Sequence, residues 1–133
     1  MNQKMIKLKC HVNDKGSLIS LESGKNIPFD IKRVYYIFGV KDEVRRGFHA
    51  HKSLDQVLVC TSGSCKVLTD DGRNKENYEL NSPVLGLHIG AMLWHEMFDF
   101  SQDCVLMVLA SDFYDESDYV RDYSEFIAKI KKT

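Results

Sequence analysis

The chain has 133 residues, enough for one domain around one core. A hydrophobic fraction of 44%, a charged fraction of 28% and 11% aromatic residues exclude a disordered chain. The net charge of −1 gives no basic field for nucleic acid or an anionic membrane, so an anionic ligand must be held by a few local cations.

The first residues are polar and lysine-bearing, without the apolar run of a signal peptide, and no stretch approaches the roughly 20 apolar residues of a membrane span. A cytoplasmic location is expected. The four cysteines, Cys10, Cys60, Cys65 and Cys104, form no C-x-x-C pair, which argues against zinc-finger and thioredoxin readings. Reduced thiols are expected, with Cys60, Cys65 and Cys104 packed as small hydrophobes.

Strand-like text runs along most of the chain. Segments 6–11, 18–22, 33–40, 46–51, 56–62, 64–69, 78–80, 84–89, 92–97 and 105–111 read as strands. Turn signals lie at Asp14-Lys15-Gly16, Gly63 and Asp70-Asp71-Gly72. Many short strands at close spacing mean a sandwich or barrel, so the fold class is all-β. The run 105–110 is apolar on both faces and requires cover on both sides, from a second sheet or a partner subunit. One helix is expected at the end, capped within Asp115-Glu116-Ser117. Tyr119, Tyr123, Phe126, Ile127 and Ile130 follow at helical spacing, and Lys129, Lys131 and Lys132 sit at the terminus.

In segment 33–40, alternation sets Arg33, Tyr35 and Ile37 on one face and Val34, Tyr36 and Phe38 on the other. The second set reads as core. The first joins a guanidinium to a phenol, a combination suited to an anionic, oxygen-rich ligand.

The most informative text is Arg45-Arg46-Gly47-Phe48-His49-Ala50-His51-Lys52. Residues two apart in a strand share a face, so His49 and His51 project side by side. Such a pair serves as metal ligands or as an acid/base couple. Strict alternation points Arg46 away from them, but Gly47 is able to mark a bulge that re-aims it. Gln56 and Gly63 follow at the spacing of the first cupin motif, H-x-H-x4-E-x6-G, with glutamine in place of glutamate. His95 falls where the second motif supplies its remaining ligand. The missing carboxylate weakens a metal site, although three neutral histidines are able to hold zinc. Without a metal the imidazoles themselves must act. An uncharged Gln56 leaves them no carboxylate partner, so their pKa values are expected near neutrality, suited to moving protons both ways.

With these residues assembled, the chain resembles the dTDP-4-oxo-6-deoxy-D-glucose 3,4-ketoisomerases, the WxcM-like cupins. The matching text is 26–36, 46–52, 56–59, 86–90, 94–100, 108–112, 114–116 and 118–119, nearly the whole chain. The resemblance implies a single domain over 1–133, a cupin-type jelly roll (double-stranded β-helix) with a short C-terminal α-helix. It implies an isomerase that moves the keto group of a dTDP-linked 4-keto-6-deoxyhexose from C4 to C3, with no metal and no other cofactor. The product would feed 3-amino-3,6-dideoxy sugar synthesis for surface glycans. It further implies a homodimer with an exchanged N-terminal strand. His49, His51, Tyr35 and Arg46 are the expected catalytic residues. Arg33, Gln56 and His95 are expected to bind substrate, with Arg33 on the diphosphate. His51 is read as the base at C3 and His49 as the relay. The small turn at Lys15-Gly16 favours a galacto-configured product over gluco. Three other readings stand beside this one: a metal-dependent cupin enzyme on His49, His51 and His95, a non-catalytic sugar-nucleotide-binding cupin, and a sugar 3,5-epimerase.

Overall fold

In a computed structural model, residues 4–131 are described. Two five-stranded sheets face each other. The first runs in the order β1 (Met5–Lys7), β9 (Leu85–Ile89), β6 (Gln56–Ser62), β11 (Val105–Ala110), β4 (Arg33–Phe38). The second runs β12 (Tyr119–Val120), β5 (Arg46–His51), β10 (Trp94–Phe98), β7 (Cys65–Asp70), β8 (Lys75–Leu80). A small hairpin, β2 (His11–Asn13) with β3 (Gly16–Leu18), stands apart. Every named strand pairing is antiparallel. The order of strands crosses between the two sheets, as in a jelly roll.

Leu58, Val67, Leu87, Leu106 and Val108 interdigitate between the sheets. The sulfurs of Cys60, Cys65 and Cys104 lie within 4.8 Å of one another at the end of this core where β6 turns into β7. The Cys60 thiol donates to the Ser62 carbonyl at 3.1 Å, so these residues pack as small hydrophobes with a satisfied donor.

The outer face of β11 is covered by the chain itself. Leu109 packs with Val57, Val59, Leu8 and Ile27, and Met107, Ile19, Leu21, Phe29 and Ile31 close over them. The irregular stretch 19–31 is therefore apolar because it roofs β6 and β11, which corrects the strand expected at 18–22. The strand expected at 6–11 is likewise broken into β1 and β2.

On β4 the inward and outward sets are the reverse of a simple core assignment. Tyr35 and Ile37 pack against the core. Val34, Tyr36 and Phe38 face out and are 52%, 63% and 67% exposed. β4 is an edge strand paired to β11, and among the described residues nothing roofs its outer face.

The helix α1 covers Tyr123–Lys131 and starts later than its periodicity suggests. Asp122 caps it, its Oδ1 accepting from the Ser124 N–H at 2.8 Å. Asp115 instead caps a short 3₁₀ turn, Glu116–Asp118, and Tyr119 lies in a strand. Strand pairing to the free edge of β5 wins over helical spacing at Tyr119 because it satisfies both backbones. Phe126 anchors α1 in a cluster with Ala50, Trp94 and Val120. Lys132 lies outside the described residues.

Candidate active site

The site forms at the end of the barrel where β5, β10 and β4 converge with the segment 112–121. His49 and His51 share a face, as alternation requires, with ring centroids 5.0 Å apart. His95, opposite His49 on β10, brings a third ring to 4.6 Å from His49. Its neighbour Glu96 points elsewhere, accepting from Trp94 Nε1 at 2.9 Å and Arg45 Nε at 2.7 Å.

Arg46 reaches this group through a bulge. The register of β5 on β10 slips between His95 and Glu96, so that His95 faces His49 while Glu96 faces Gly47. Gly47 and Phe48 take positive φ of 95° and 60°. The extra residue turns Phe48 outward and returns Arg46 to the face of His49. Gly47 is required twice over, since a Cβ there would sit 2.8 Å from the His95 carbonyl oxygen.

Two cavities adjoin at these side chains. One, about 250 Å³, is lined by Arg33, His51, Ser53, Asp118 and Tyr119 among others. The second, about 330 Å³, is lined by Arg33, Tyr35, Arg46, His49, Tyr119 and Arg121 among others. Arg33 and Tyr119 line both, so the spaces are neighbours. Three guanidiniums in the larger one make it the place for an anion. Arg33 forms no ion pair among the described residues, and its buried Nε has no hydrogen-bond partner. Its guanidinium lies 5.2 Å from the Tyr35 ring and 5.7 Å from that of Tyr114. Gln56 is buried and donates from Nε2 to the Tyr35 oxygen at 2.8 Å. The phenol's own O–H is thereby free to donate into the cavity. Burial also pushes the Tyr35 pKa up, so it keeps that proton.

A carboxylate stands beside the imidazoles after all. Asp118, at the end of the 3₁₀ turn, places Oδ2 at 3.3 Å from His51 Nδ1. The contact is short but outside hydrogen-bond alignment, and both ring nitrogens of His51 lack a partner. Tyr119 lies against both histidines, 4.9 Å from His49 and 4.4 Å from His51. Arg121 stacks on Tyr119 at 4.1 Å and is gripped by Glu116. Asp118, Tyr119, Tyr114 and Arg121 are not among the expected site residues, although 114–116 and 118–119 belong to the matching text, because the segment scans as the start of a helix. Their clue was present in the mixture of acidic and aromatic residues just after the last long strand.

Nor do the histidines titrate near neutrality. Burial, then repulsion from His51, lowers the pKa of His49 to about 4. Burial, then repulsion from His95, lowers His51 to about 4, with Asp118 offsetting part of the shift. Burial pushes fully enclosed His95 down to about 3. All three are neutral at pH 7. Nδ1 of His49 donates to the Gly47 carbonyl and Nδ1 of His95 to that of Leu93, each at 3.0 Å. Their Nε2 lone pairs are left free. One ligand atom from each of the three lies within 4.8 Å of the others, a spacing able to hold a divalent cation. Gln56, bonded to Tyr35, is already committed elsewhere.

A jelly roll whose mouth gathers imidazoles, a phenol and guanidiniums defines a cupin. Comparison with known proteins narrows the class. The family model "WxcM-like, C-terminal" matches residues 1–131. The TDP-4-oxo-6-deoxy-alpha-D-glucose-3,4-oxoisomerase of Aneurinibacillus thermoaerophilus is 58% identical, over 98% of this chain and 96% of its own. A mutant of the 3,4-ketoisomerase QdtA of Thermoanaerobacterium thermosaccharolyticum, solved with TDP-4-keto-6-deoxyglucose, superposes with a TM-score of 0.94. It is 48% identical, over 96% of this chain and 93% of that one. The TDP-quinovose 3,4-ketoisomerase WlaRB of Campylobacter jejuni gives a TM-score of 0.91 at 50% identity, over 94% and 96%. The chain belongs to the WxcM-like family of sugar-nucleotide 3,4-ketoisomerases.

Proposed function

We propose that this protein is a dTDP-4-keto-6-deoxyglucose 3,4-ketoisomerase working by histidine acid/base catalysis through an enediol. The observation that carries the reading is the His49–His51 pair, neutral and side by side on one face of β5, at the edge of a cavity lined by three arginines. The family and the substrates named for its relatives supply the hexose.

The reaction removes hydrogen from C3 and adds it to C4, while the hydroxyl proton leaves O3 and one arrives at O4. His51 takes the C3 proton, which is acidified by the neighbouring C4 carbonyl, and an enediolate forms. Tyr35 donates a hydrogen bond and Arg46 a charge to its oxygens. The proton taken by His51 exchanges with solvent and is relayed to Nε2 of His49, which delivers a proton to C4. The O3 proton passes to O4 through solvent, so both imidazoles end the cycle neutral. Arg33, without an ion pair among the described residues, binds the diphosphate, while Gln56 and His95, both buried and lining neither cavity, support the hexose site from behind Tyr35 and His49. Gln56 acts partly through Tyr35, whose hydroxyl it orients. No net redox change occurs, so the scheme needs no cofactor. Turnover undiminished in chelated, metal-free protein is expected; restoration of activity only by added metal would favour a metal-dependent cupin on the three histidines.

The product is read as galacto-configured, on the small turn at Lys15 and Gly16, and as a precursor of 3-amino-3,6-dideoxy sugars. That turn closes the β2–β3 hairpin, which lines neither cavity of its own chain. It therefore reaches C4 only from a second subunit. A homodimer with its N-terminal strand exchanged supplies one. Exposed Val12 and Leu18 on the hairpin, and Val34, Tyr36 and Phe38 on β4, are the apolar surface such a dimer covers. Sedimentation equilibrium is expected to give twice the chain mass; a monomer at micromolar concentration removes the exchange. The chain is read as one cupin domain, and no described helix is long and apolar enough to cross a membrane.

The deciding experiment is incubation of the protein with dTDP-4-keto-6-deoxyglucose in deuterated water. Deuterium at C4 of a 3-keto product is expected, and NMR of that product or its aminated form gives the C4 configuration. Binding without exchange would mark a non-catalytic module, and deuterium at C5 would mark an epimerase.

A further inference from the structure

Asp118 does more than close a loop. Its Oδ1 accepts from the Ser53 N–H at 3.0 Å and the Ser53 hydroxyl at 2.8 Å, and its Oδ2 accepts from the Leu54 N–H at 3.3 Å. Its carbonyl accepts from the Lys52 N–H at 2.8 Å. All four donor groups, from Lys52, Ser53 and Leu54, lie in the turn that directly follows His51. One residue later, Tyr119 pairs with His51 across β12 and β5. The carboxylate is thus fixed relative to the strand that carries the imidazole. It is largely buried, with 16% of its side chain exposed against 2% for His51.

The three imidazoles differ in what faces Nδ1. His49 and His95 each meet a neutral backbone carbonyl. His51 alone meets a carboxylate, 3.3 Å away. A carboxylate there favours the tautomer with hydrogen on Nδ1, leaving the Nε2 lone pair for the cavity. It also favours the imidazolium that exists once Nε2 has taken a proton, and so acts more on the intermediate than on the resting enzyme. Catalytic hydrogen bonds that are poorly aligned in a free enzyme tighten in the complex, which accommodates the present misalignment.

Resting on the ketoisomerase reading above, we propose that Asp118 is a positioning residue. Its carboxylate, anchored by Ser53 and Leu54 and set against Nδ1 of His51, aims the Nε2 lone pair of His51 at the hexose. It thereby selects His51 over His49 as the base at C3.

The test pairs Asp118→Asn with Ser53→Ala. The asparagine retains an oxygen for Ser53 but turns an NH₂ toward His51, which forces the Nε2–H tautomer. Asparagine in place of an imidazole-orienting aspartate has this effect in serine proteases. The expected result is a fall in kcat of about 10²–10⁴-fold with KM changed less than about threefold. Ser53→Ala, which removes one anchor but leaves the carboxylate facing Nδ1, is expected to lower kcat at least about tenfold less than Asp118→Asn does. Asp118→Glu is expected to recover part of the loss. The second measurement needs no substrate: ¹⁵N NMR of the His51 ring is expected to show Nδ1–H in wild type and Nε2–H in Asp118→Asn. An unchanged tautomer overturns the proposal even if the sugar nucleotide proves to be the wrong substrate. Equal losses of kcat and thermal stability in Asp118→Asn and Ser53→Ala overturn it too, because they describe a tether alone. If wild type fails to isomerise the ketosugar while the tautomer switches as stated, the functional reading fails and the positioning role survives.

Discussion

His51→Asn is expected to lower kcat about 10²–10⁴-fold, the range for loss of a general base, and to stop solvent deuterium from entering the hexose at either carbon. His49→Asn is expected to fail differently. If His49 returns the proton at C4, its loss leaves the first half of the reaction intact. The substrate then exchanges hydrogen for deuterium at C3 while little 3-keto product appears. Both results come from one experiment, proton NMR of the hexose in deuterated water with each variant. The reverse pattern, exchange at C3 in His51→Asn and none in His49→Asn, would exchange the two roles. The distinction rests on surroundings, since the residues share a strand face and are chemically identical. His51 has Asp118 at 3.3 Å from its Nδ1 and opens on the smaller cavity. His49 donates to the Gly47 carbonyl and opens on the cavity of the three arginines.

Stability is expected to fall steeply as pH drops from about 6.5 toward 4, ahead of any loss from carboxylates. In the unfolded chain the three histidines bind protons near their ordinary value of 6.5. In the folded protein His49 and His51 do so only at about 4 and His95 only at about 3. Between these limits the unfolded state holds up to three more protons, so acid favours unfolding. The charges acting on them are Asp118, Glu116 and Glu96, which raise their pKa values, and Arg33 and Arg121, which lower them. Urea midpoints at constant slope, taken from pH 7.5 to 4.5, check the trend. His95→Gln is expected to flatten it by about one proton. Carboxylates such as Glu116, itself held down at about 2 by Arg121, act only below about 4.5, a separate window. The same shifts keep the base neutral, so kcat/KM of the folded enzyme is expected to stay level from about pH 5 to 8. A kinetic limb near 6.5 in the free enzyme would show that water reaches these rings more freely than their burial implies.

The amino-acid order by itself determined the strand-rich class, the shared face of His49 and His51, and the pairing of Arg33 with Tyr35. These depend on period two and on turn residues, both local properties of the chain. It also flagged Gly47 as the point where Arg46 is turned inward, because a glycine in strand text marks a bulge. Tertiary structure alone decided which face of β4 is core. Alternation separates Tyr35 from Tyr36 but does not tell inside from outside when both faces are aromatic. Only assembly of the sheets placed the stretch 19–31 over β11, and only the unpaired edge of β5 drew Tyr119 out of a helix into a strand. With Tyr119 came Asp118, 67 positions from His51 in the sequence, carrying the carboxylate that Gln56 lacks. Burial of the three rings, which pushes their pKa values far below neutrality, likewise depends on how much protein the completed fold sets around them, a quantity no local pattern encodes.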